Sequence, residues 1–419
     1  NIKQFYITIN STLAPYEGGA LEKKGAQELI EIYFELEKKL LKNWQAPLIN
    51  DFYAMIFYGI LKKMLIKIDP KGTLQNDLLI GQKGIISVEP IIRIKEISNK
   101  ICLNNELKEL FLAEVEDVIQ KRLKDYPIND EIEGFIKKFG NRCIEELKLE
   151  TITYKQDSRL LICLIKTYVK QGIIDLNKDK NPEPQIDKKI KNPIFSYVLN
   201  RTRFLVRNRE NLRFERTRLF GLVREIFLRF GVIFEQEKII NNKRDIFYLT
   251  KDEIFSYVLG TSVDVDLRGI IENRKKQFDE FRKEDLKDRI KTKGIVYCSI
   301  GNEKNETATI DKDCVLLGIG CCAGVVRAKV RIVNSIYDTN DLEGKILVAK
   351  RTDPGWVPLF AISKGILIER GSILSHGAIV AREMGIPAIV GVNNLFSVLK
   401  DDMEIEMDGK KGTIKIING

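Results

Sequence analysis

Gly371-Ser-Ile-Leu-Ser-His376-Gly-Ala-Ile-Val-Ala-Arg-Glu-Met-Gly385-Ile-Pro-Ala388 contains the only histidine among the 419 residues of the chain. Apolar residues recur at helical spacing after His376, and Gly385 followed by Pro387 favours the end of a helix. We therefore expect a helix that begins next to the histidine. The first turn of a helix has unpaired N–H groups and a positive dipole end, which together favour a bound phosphate. An imidazole placed there can accept a phosphoryl group on one ring nitrogen.

The residues around His376 supply groups suited to an anion. Hydroxyls and small residues allow a phosphate to approach the backbone closely, and the candidate phosphate-binding residues are Gly371, Ser372, Ser375, Gly377 and Arg382. The alternative is that His376 is an ordinary surface or core residue, which is the more frequent case for a lone histidine. The longer pattern of flanking residues decides between these two interpretations.

The run Gly-Ser-x-x-Ser-His-Gly-Ala-Ile-Val-Ala-Arg-Glu-x-Gly-Ile-Pro-Ala resembles the phosphohistidine signature of the PEP-utilising enzymes. That family includes phosphoenolpyruvate synthase, pyruvate phosphate dikinase, enzyme I of the sugar phosphotransferase system and rifampicin phosphotransferase. Asp353-Pro-Gly-Trp-Val-Pro-Leu-Phe360 is similar to a second family segment, most clearly in the rifampicin phosphotransferase-like branch. The resemblance implies that His376 is the residue phosphorylated during catalysis.

Composition sets broad limits on the partners. The chain has 69 Lys and Arg against 59 Asp and Glu, and a net charge of +10 suits phosphate-rich ligands without choosing between nucleotides and nucleic acid. Part of this charge has a simpler explanation in the heavy use of Lys, Ile and Asn, which is typical of an AT-rich genome. No run of eighteen apolar residues predicts a membrane span. Seven cysteines without metal-ligand spacing indicate reduced thiols, so we expect a cytoplasmic protein without a metal centre of its own.

Periodicity divides the chain into regions of different texture. Helical patterns dominate residues 1–270, with helical stretches near 105–124 and 129–147, and Phe52 to Ile66 is apolar enough to predict a buried helix. A short helix is also expected to end at Lys364. A charged segment follows at 271–294, consistent with an exposed helix that runs into a linker. Short β-type runs then alternate with turns over 295–419, and the predicted strands are Ile295–Ser299, Val325–Val333, Ile346–Ala349, Gly365–Ile368, Ala388–Val390 and Thr413–Ile417.

We therefore expect a multidomain fold, with a mostly α-helical N-terminal domain and an α/β C-terminal domain. By resemblance, residues 295–419 form the β/β/α swivelling phosphohistidine domain, residues 1–270 bind the acceptor, and 271–294 supply the hinge. Several relatives carry a large barrel after the histidine domain. Only 43 residues follow His376 here, too few for such a barrel, so the helical region is the expected host of a small-molecule acceptor.

An arginine-rich stretch provides candidates for the transfer step. Arg209, Glu210 and Arg213 lie one helical turn apart, and a similar Arg-Glu-x-x-basic cluster faces the phosphohistidine in rifampicin phosphotransferase. Guanidinium groups stabilise a migrating phosphoryl group, and a base must take the hydroxyl proton. Because there is no second histidine, we expect Glu210 to be that base, although a lowered-pKa Lys or Tyr remains an alternative.

The arginine-rich stretch has two simpler interpretations. Nine arginines in 201–229 are typical of a solvated basic face, and arginines interleaved with phenylalanines resemble an RNA-binding surface. The phenylalanines at 204, 214, 220 and 227 fall at helical spacing, which favours the buried side of a helix over a nucleic-acid interface. We therefore expect no nucleic-acid partner.

The phosphoryl donor is the missing part of the predicted reaction. Relatives use an ATP-grasp domain with ATP and Mg2+, passing the β-phosphate to histidine, and the sequence contains no glycine-rich loop of that kind. The resemblance thus implies an ATP-grasp donor domain or subunit outside these residues, whether the chain is a fragment or a natural subunit.

Weaker family similarity in the helical region comprises 44–52, 75–81, 139–149 and 244–253. Asn141 departs there from the His or Asp of relatives.

Two hypotheses about the function remain. The first is a dikinase-type phosphotransferase, including condensing enzymes that activate a carbonyl-derived group. The second is a non-catalytic phosphohistidine carrier or regulatory protein whose helical domain binds a partner.

Overall fold

The structure, a computed structural model, describes residues 2–66, 68–69, 74–79, 84–143, 145–173, 192–284, 315–333 and 342–418. The predicted strand Ile295–Ser299 and the C-terminal part of the 271–294 segment lie outside these residues. Within them, the N-terminal part of the chain is mostly helical and the C-terminal part is a mixed sheet with short helices, so the predicted fold class is confirmed.

Twelve α-helices precede residue 284 in the described part of the chain. They are α1 (Ile2–Leu13), α2 (Ala26–Leu36), α3 (Gln45–Leu65), α4 (Leu74–Asp77), α5 (Glu89–Leu103), α6 (Asn105–Ala113), α7 (Glu116–Arg122), α8 (Ile128–Phe139), α9 (Arg159–Gln171), α10 (Pro193–Gln236), α11 (Lys251–Val258) and α12 (Leu267–Phe281). A π-helical turn, Glu37–Leu41, continues α2. No helix among the described residues is both long and apolar enough to cross a membrane.

Eight strands and three further helices form the C-terminal part. They are β1 (Val315–Leu317), β2 (Ile319–Cys322), β3 (Val325–Ile332), β4 (Ile346–Ala349), α13 (Val357–Phe360), β5 (Gly365–Ile368), α14 (His376–Glu383), β6 (Ala388–Val390), α15 (Leu395–Val398), β7 (Glu404–Asp408) and β8 (Thr413–Asn418). The strand order is β1-β8-β7-β3-β4-β5-β6-β2, with β3 to β6 parallel and the outer pairs antiparallel.

The central strands are buried on both faces, as parallel strands require. Side chains of β4 alternate between two hydrophobic clusters: Leu347 and Ala349 belong to one, and Ile346 and Val348 to the other. Helix α14 connects the parallel neighbours β5 and β6, which places its N-terminus beyond the carboxyl end of β5. Ligands of parallel sheets bind at this edge.

By contacts, the chain separates into two compact units. The first comprises Asn1–Asn10, Asn43–Gly221 and Asp311–Gly419, and the second comprises Ser11–Lys42 and Leu222–Ile310. The first unit therefore includes helices α3 to α9 together with the sheet. The predicted boundaries at 270 and 294 remain predictions.

The second unit has an aromatic centre. Phe227 and Phe255 stack with ring centroids 6.3 Å apart, and Tyr33 packs edge-on against Phe255 at 5.2 Å. Arg274 donates two hydrogen bonds to the Glu253 carboxylate, at 2.6 and 2.7 Å. This carboxylate also caps the first turn of α11 through the Thr250 backbone N–H.

Several local predictions were wrong. Helix α3 is not buried all round: one stripe that includes Ala54 and Leu61 is buried, whereas Phe52 is 64% exposed. An apolar composition favoured burial of every face, but only one face finds packing partners. Phe204 is likewise exposed, while Phe214 and Phe227 are buried as expected.

The remaining corrections concern where elements begin and end. The patterns did not predict β1 and β2, the short strands at the two edges of the sheet, or β7, which lies between β8 and β3. The helix expected over 129–147 ends at Phe139, and the short helix expected to reach Lys364 ends at Phe360. The helix expected over 105–124 is interrupted at Glu114, where the backbone is extended.

Candidate functional site

His376 is the first residue of α14, as the sequence predicted, and is 3% exposed. Ser375 is the N-cap residue with extended backbone, and its N–H donates to the Ser372 carbonyl at 2.8 Å. Two apolar neighbours, Leu374 and Ile379, pack among residues of α3 and α10. The loop before α14 therefore places the imidazole against the helical part of the same unit.

The imidazole contacts a carboxylate of α10. His376 Nδ1 forms a short hydrogen bond with Glu210 Oε2, and Ser87 Oγ donates to the same oxygen at 3.1 Å. His376 Nε2 is buried without a hydrogen-bond partner among the described residues. Because a carboxylate only accepts, Nδ1 carries the proton, and Nε2 carries the lone pair whenever the imidazole is neutral.

Glu210 is fully buried, yet its surroundings keep it ionised. Burial alone raises the pKa of this carboxyl, but the charge and hydrogen bond of His376, with Arg213 and Ser87, outweigh burial and lower the pKa to about 2. The second oxygen, Oε1, is buried without a hydrogen bond and lies 3.8 Å from Arg213 Nη1. Glu210 thus has one oxygen on the imidazole and one free to accept a proton.

Guanidinium groups surround this carboxylate. Arg209 Nη1 pairs with Asp51 Oδ2 of α3 at 2.9 Å. Burial, followed by repulsion from Arg213, lowers the pKa values of Arg209 and Arg216. The Nε atoms of Arg209 and Arg216 are buried without hydrogen-bond partners among the described residues. The cluster therefore has donors available for an anion.

Gly377 has no room for a side chain, and Gly371 has little. A Cβ at Gly377 would lie 2.5 Å from Thr352 Oγ1, and one at Gly371 would lie 3.3 Å from Val390 Cβ and 3.4 Å from Ser375 Oγ. The backbone of the predicted phosphate-binding loop is therefore tightly packed. Ser375 Oγ itself is buried without a hydrogen-bond partner.

Arg382 takes a different position from the other candidates. It is buried in α14, where Nη2 donates to the Ile373 carbonyl at 3.0 Å and Nε to the Cys321 carbonyl at 3.4 Å. These bonds support the loop that carries Ser372 and Ser375. Contact between Arg382 and a phosphate remains a prediction.

Pattern reasoning did not single out two residues of the site, Ser87 and Thr352. Ser87 precedes α5 in an ordinary apolar context, and only the fold brings it to Glu210. Asp51 was noted only within a weakly similar segment. In the described ranges, no group of three or more His, Cys, Asp or Glu side chains is suited to a metal ion.

Comparison with known proteins matches both halves of this site. Residues 341–412, which include His376, match the family model for the mobile domain of PEP-utilising enzymes. Residues 46–210, which include Asp51 and Glu210, match the model for the rifampicin phosphotransferase fourth domain. Over these two ranges the chain is similar to PEP-utilising enzymes. Its matches are consistent with the rifampicin phosphotransferase-like branch.

The relatives are distant and longer. Rifampicin phosphotransferase of Bacillus cereus is 27% identical over 69% of this chain and 34% of its own length. The uncharacterised phosphotransferase YvkC of Bacillus subtilis is 24% identical over 99% of this chain and 53% of its own length. A probable phosphoenolpyruvate synthase of Methanothermobacter thermautotrophicus is 32% identical over 28% of this chain and 17% of its own length. The chain spans 34% to 41% of the rifampicin phosphotransferases it matches over most of its length.

Proposed function

We propose that this chain is the acceptor-plus-carrier part of a dikinase-type phosphotransferase. His376 accepts the β-phosphoryl group of ATP from an ATP-grasp domain or subunit and passes it to a small organic acceptor held by the helical region. The observation that carries the proposal is the buried contact between His376 Nδ1 and Glu210, which leaves Nε2 as the nucleophilic atom.

The transfer step follows from this arrangement. Phosphoryl transfer to the acceptor breaks the P–N bond at Nε2 and forms a P–O bond, while the imidazole keeps its Nδ1 proton and recovers the Nε2 lone pair. The Glu210 carboxylate stabilises the positive charge that the phosphorylated ring carries. The acceptor hydroxyl attacks in line with the P–N bond, on the side of the phosphorus away from the imidazole, and gives its proton to a base on that side rather than to Glu210, which is held at Nδ1. Arg209 and Arg213 neutralise the oxygens of the migrating group.

The surface of α3 suggests the kind of acceptor. Leu48, Phe52 and Met55 are exposed on this helix and lie within one turn of Asp51, the partner of Arg209. An acceptor with an apolar body and a hydroxyl group fits such a surface. A relative's name, rifampicin phosphotransferase, supports this class of acceptor.

Mass measurement tests the proposal directly. The chain is mixed with ATP, Mg2+ and an ATP-grasp donor from the same genome, and its intact mass is recorded before and after mild acid. We expect one acid-labile phosphoryl group, and we expect the His376→Ala variant to lack it. If a donor that phosphorylates another histidine carrier leaves the wild-type chain unmodified, the phosphotransferase proposal is wrong and a binding protein remains.

A further inference from the structure

The segment 353–360, termed here the docking segment, contacts the helical region at a second place. Its first residue, Asp353, accepts hydrogen bonds from the backbone N–H of Gly355 at 2.9 Å and of Glu145 at 2.5 Å. Glu145 lies between α8 and α9, and its φ of 59° is uncommon for a residue other than glycine. Asp353 thus binds the helical region where its backbone has an unfavourable conformation.

A second polar contact lies at the other end of the docking segment. The Tyr168 hydroxyl of α9 donates to the Pro358 carbonyl at 2.7 Å, and Tyr168 is fully buried. Pro358 belongs to α13, which ends two residues later, so its carbonyl lacks the usual partner within the helix. Tyr168 satisfies this carbonyl from the helical region.

Apolar packing joins the same surfaces. Trp356 and Phe360 of the docking segment belong to one buried cluster with Phe135 of α8 and Leu161 of α9. Such packing is favourable but has little directional preference. The hydrogen bonds at Asp353 and Tyr168 have defined geometry and select one position of the docking segment.

We propose that Tyr168 and Asp353 are positioning residues that hold the docking segment on the helical region and so place His376 against Glu210. The inference rests on the proposed function, because a carrier must reach its acceptor site in a defined position. Neither residue contacts the imidazole. Both are expected to act through the position of the sheet that carries α14.

The single histidine provides a direct assay. Diethyl pyrocarbonate acylates accessible imidazoles, so the rate at which His376 is modified in the full chain, measured by peptide mass mapping, reports how often it leaves Glu210. We expect Tyr168→Phe and Asp353→Asn each to raise this rate about five-fold, since each removes one hydrogen bond of about ordinary strength. The double variant should exceed both.

Matched controls remove hydroxyl or carboxylate groups elsewhere. Tyr126→Phe loses a surface bond to Glu106, and Asp157→Asn loses a surface pair with Arg159. In both control variants, His376 should be acylated at the wild-type rate. If Tyr168→Phe and Asp353→Asn retain wild-type urea unfolding and also the wild-type rate, the proposal is overturned.

Two further readouts keep the test decisive. If the variants fail to fold, hydrogen exchange on the wild-type chain applies: the Glu145 amide should be protected although it lies in a loop, and rapid exchange would contradict the proposal. With a competent donor, the two variants should be phosphorylated at least as fast as the wild type, whereas a general loss of structure would slow this step. If the variants are acylated faster but no chain is phosphorylated, the docking role of Tyr168 and Asp353 stands and only the proposed function is overturned.

Discussion

Glu210 and His376 lie 166 positions apart in the chain and form a buried pair in the first unit. A buried ion pair offsets most of its desolvation cost only when its remaining atoms are also satisfied. Here Ser87 satisfies one acceptor site, whereas Glu210 Oε1 and His376 Nε2 have no hydrogen-bond partner among the described residues. Such unsatisfied buried atoms cost stability, and they are consistent with the proposed role of this pair in phosphoryl transfer.

Glu210→Gln tests the role of the carboxylate. An amide can either accept from or donate to Nδ1, so the strong preference for a proton on Nδ1 should disappear. At alkaline pH, 15N NMR of the single histidine should show the Nδ1–H tautomer in the wild type and a mixture in the variant. The free energy of unfolding should fall by about 1–3 kcal/mol, because a buried charged hydrogen bond is lost.

The surface variant Glu131→Gln is the control for this measurement, since Glu131 is exposed and pairs with Lys100. Its tautomer should match the wild type. A wild-type spectrum with the proton on Nε2 would contradict the assigned geometry.

At the scale of elements, the start of α14 depends on close packing. The carboxyl end of β5 and the loop around Thr352 leave no space above Gly377, so the helix can begin at His376 only if the next residue lacks a side chain. The pattern Ser375-His376-Gly377 therefore has a steric as well as a chemical reason.

Gly377→Ala should destabilise the fold by about 1–3 kcal/mol, the usual range for overpacking. Thr352→Ala removes the oxygen that lies 2.5 Å from the added Cβ and should restore part of the loss in the double variant. Urea unfolding measures both. Gly59→Ala in α3 is the matched control: no atom lies within 4 Å of its Cβ, so it should stabilise the helix by about 0.5–1 kcal/mol. Equal effects of the two alanines would refute the packing argument.

Helix α3 shows why an element's environment is harder to predict than its type. Its apolar sequence predicted a helix correctly, but the exposure of its second face depends on which segments the fold brings nearby. Exposed apolar residues next to a charged site are a feature of ligand surfaces.

At the scale of the whole molecule, the carboxyl groups of Asp353 and Glu210 make the free energy of unfolding depend on pH in opposite directions. Burial and the nearby Glu146 together raise the pKa of Asp353 to about 7, although hydrogen bonds from the backbone N–H groups of Glu145 and Gly355 lower it. The folded chain therefore binds this proton more tightly than the unfolded chain. Its contribution is complete below about pH 4 and is lost as pH rises through 7. The depressed pKa of Glu210 has the opposite effect: the contribution of Glu210 to stability is lost as pH falls below about 4.5.

Between pH 5 and 8, the free energy of unfolding of the wild type should decline relative to that of Asp353→Asn, by about 1–2 kcal/mol after allowance for partial exposure. Chemical unfolding at several pH values measures this difference. Asp157→Asn serves as the comparison, because Arg159 lowers the pKa of Asp157 and its titration lies below this interval. If the difference in free energy of unfolding between the wild type and Asp353→Asn does not change with pH, the Asp353 carboxyl is not buried as described.

The sequence by itself determined the features that neighbouring residues encode. Apolar spacing, Gly385 and Pro387 predicted the helix at His376, and the flanking signature predicted the family and the fold class. Periodicity works for these features because helices and central strands depend on residues a few positions apart. The short edge strands β1 and β2 were not predicted, because they depend on pairing partners distant in the chain.

The tertiary structure alone decided which side chains meet. Glu210 was a candidate from the sequence, but its bond to Nδ1, the hydrogen bond from Ser87 and the contact of Asp353 with Glu145 join segments more than a hundred residues apart. No local pattern specifies such pairs, because they follow from how the sheet and the helices of the first unit pack together. Burial then sets their chemistry, since the same carboxyl groups titrate differently in low-dielectric surroundings.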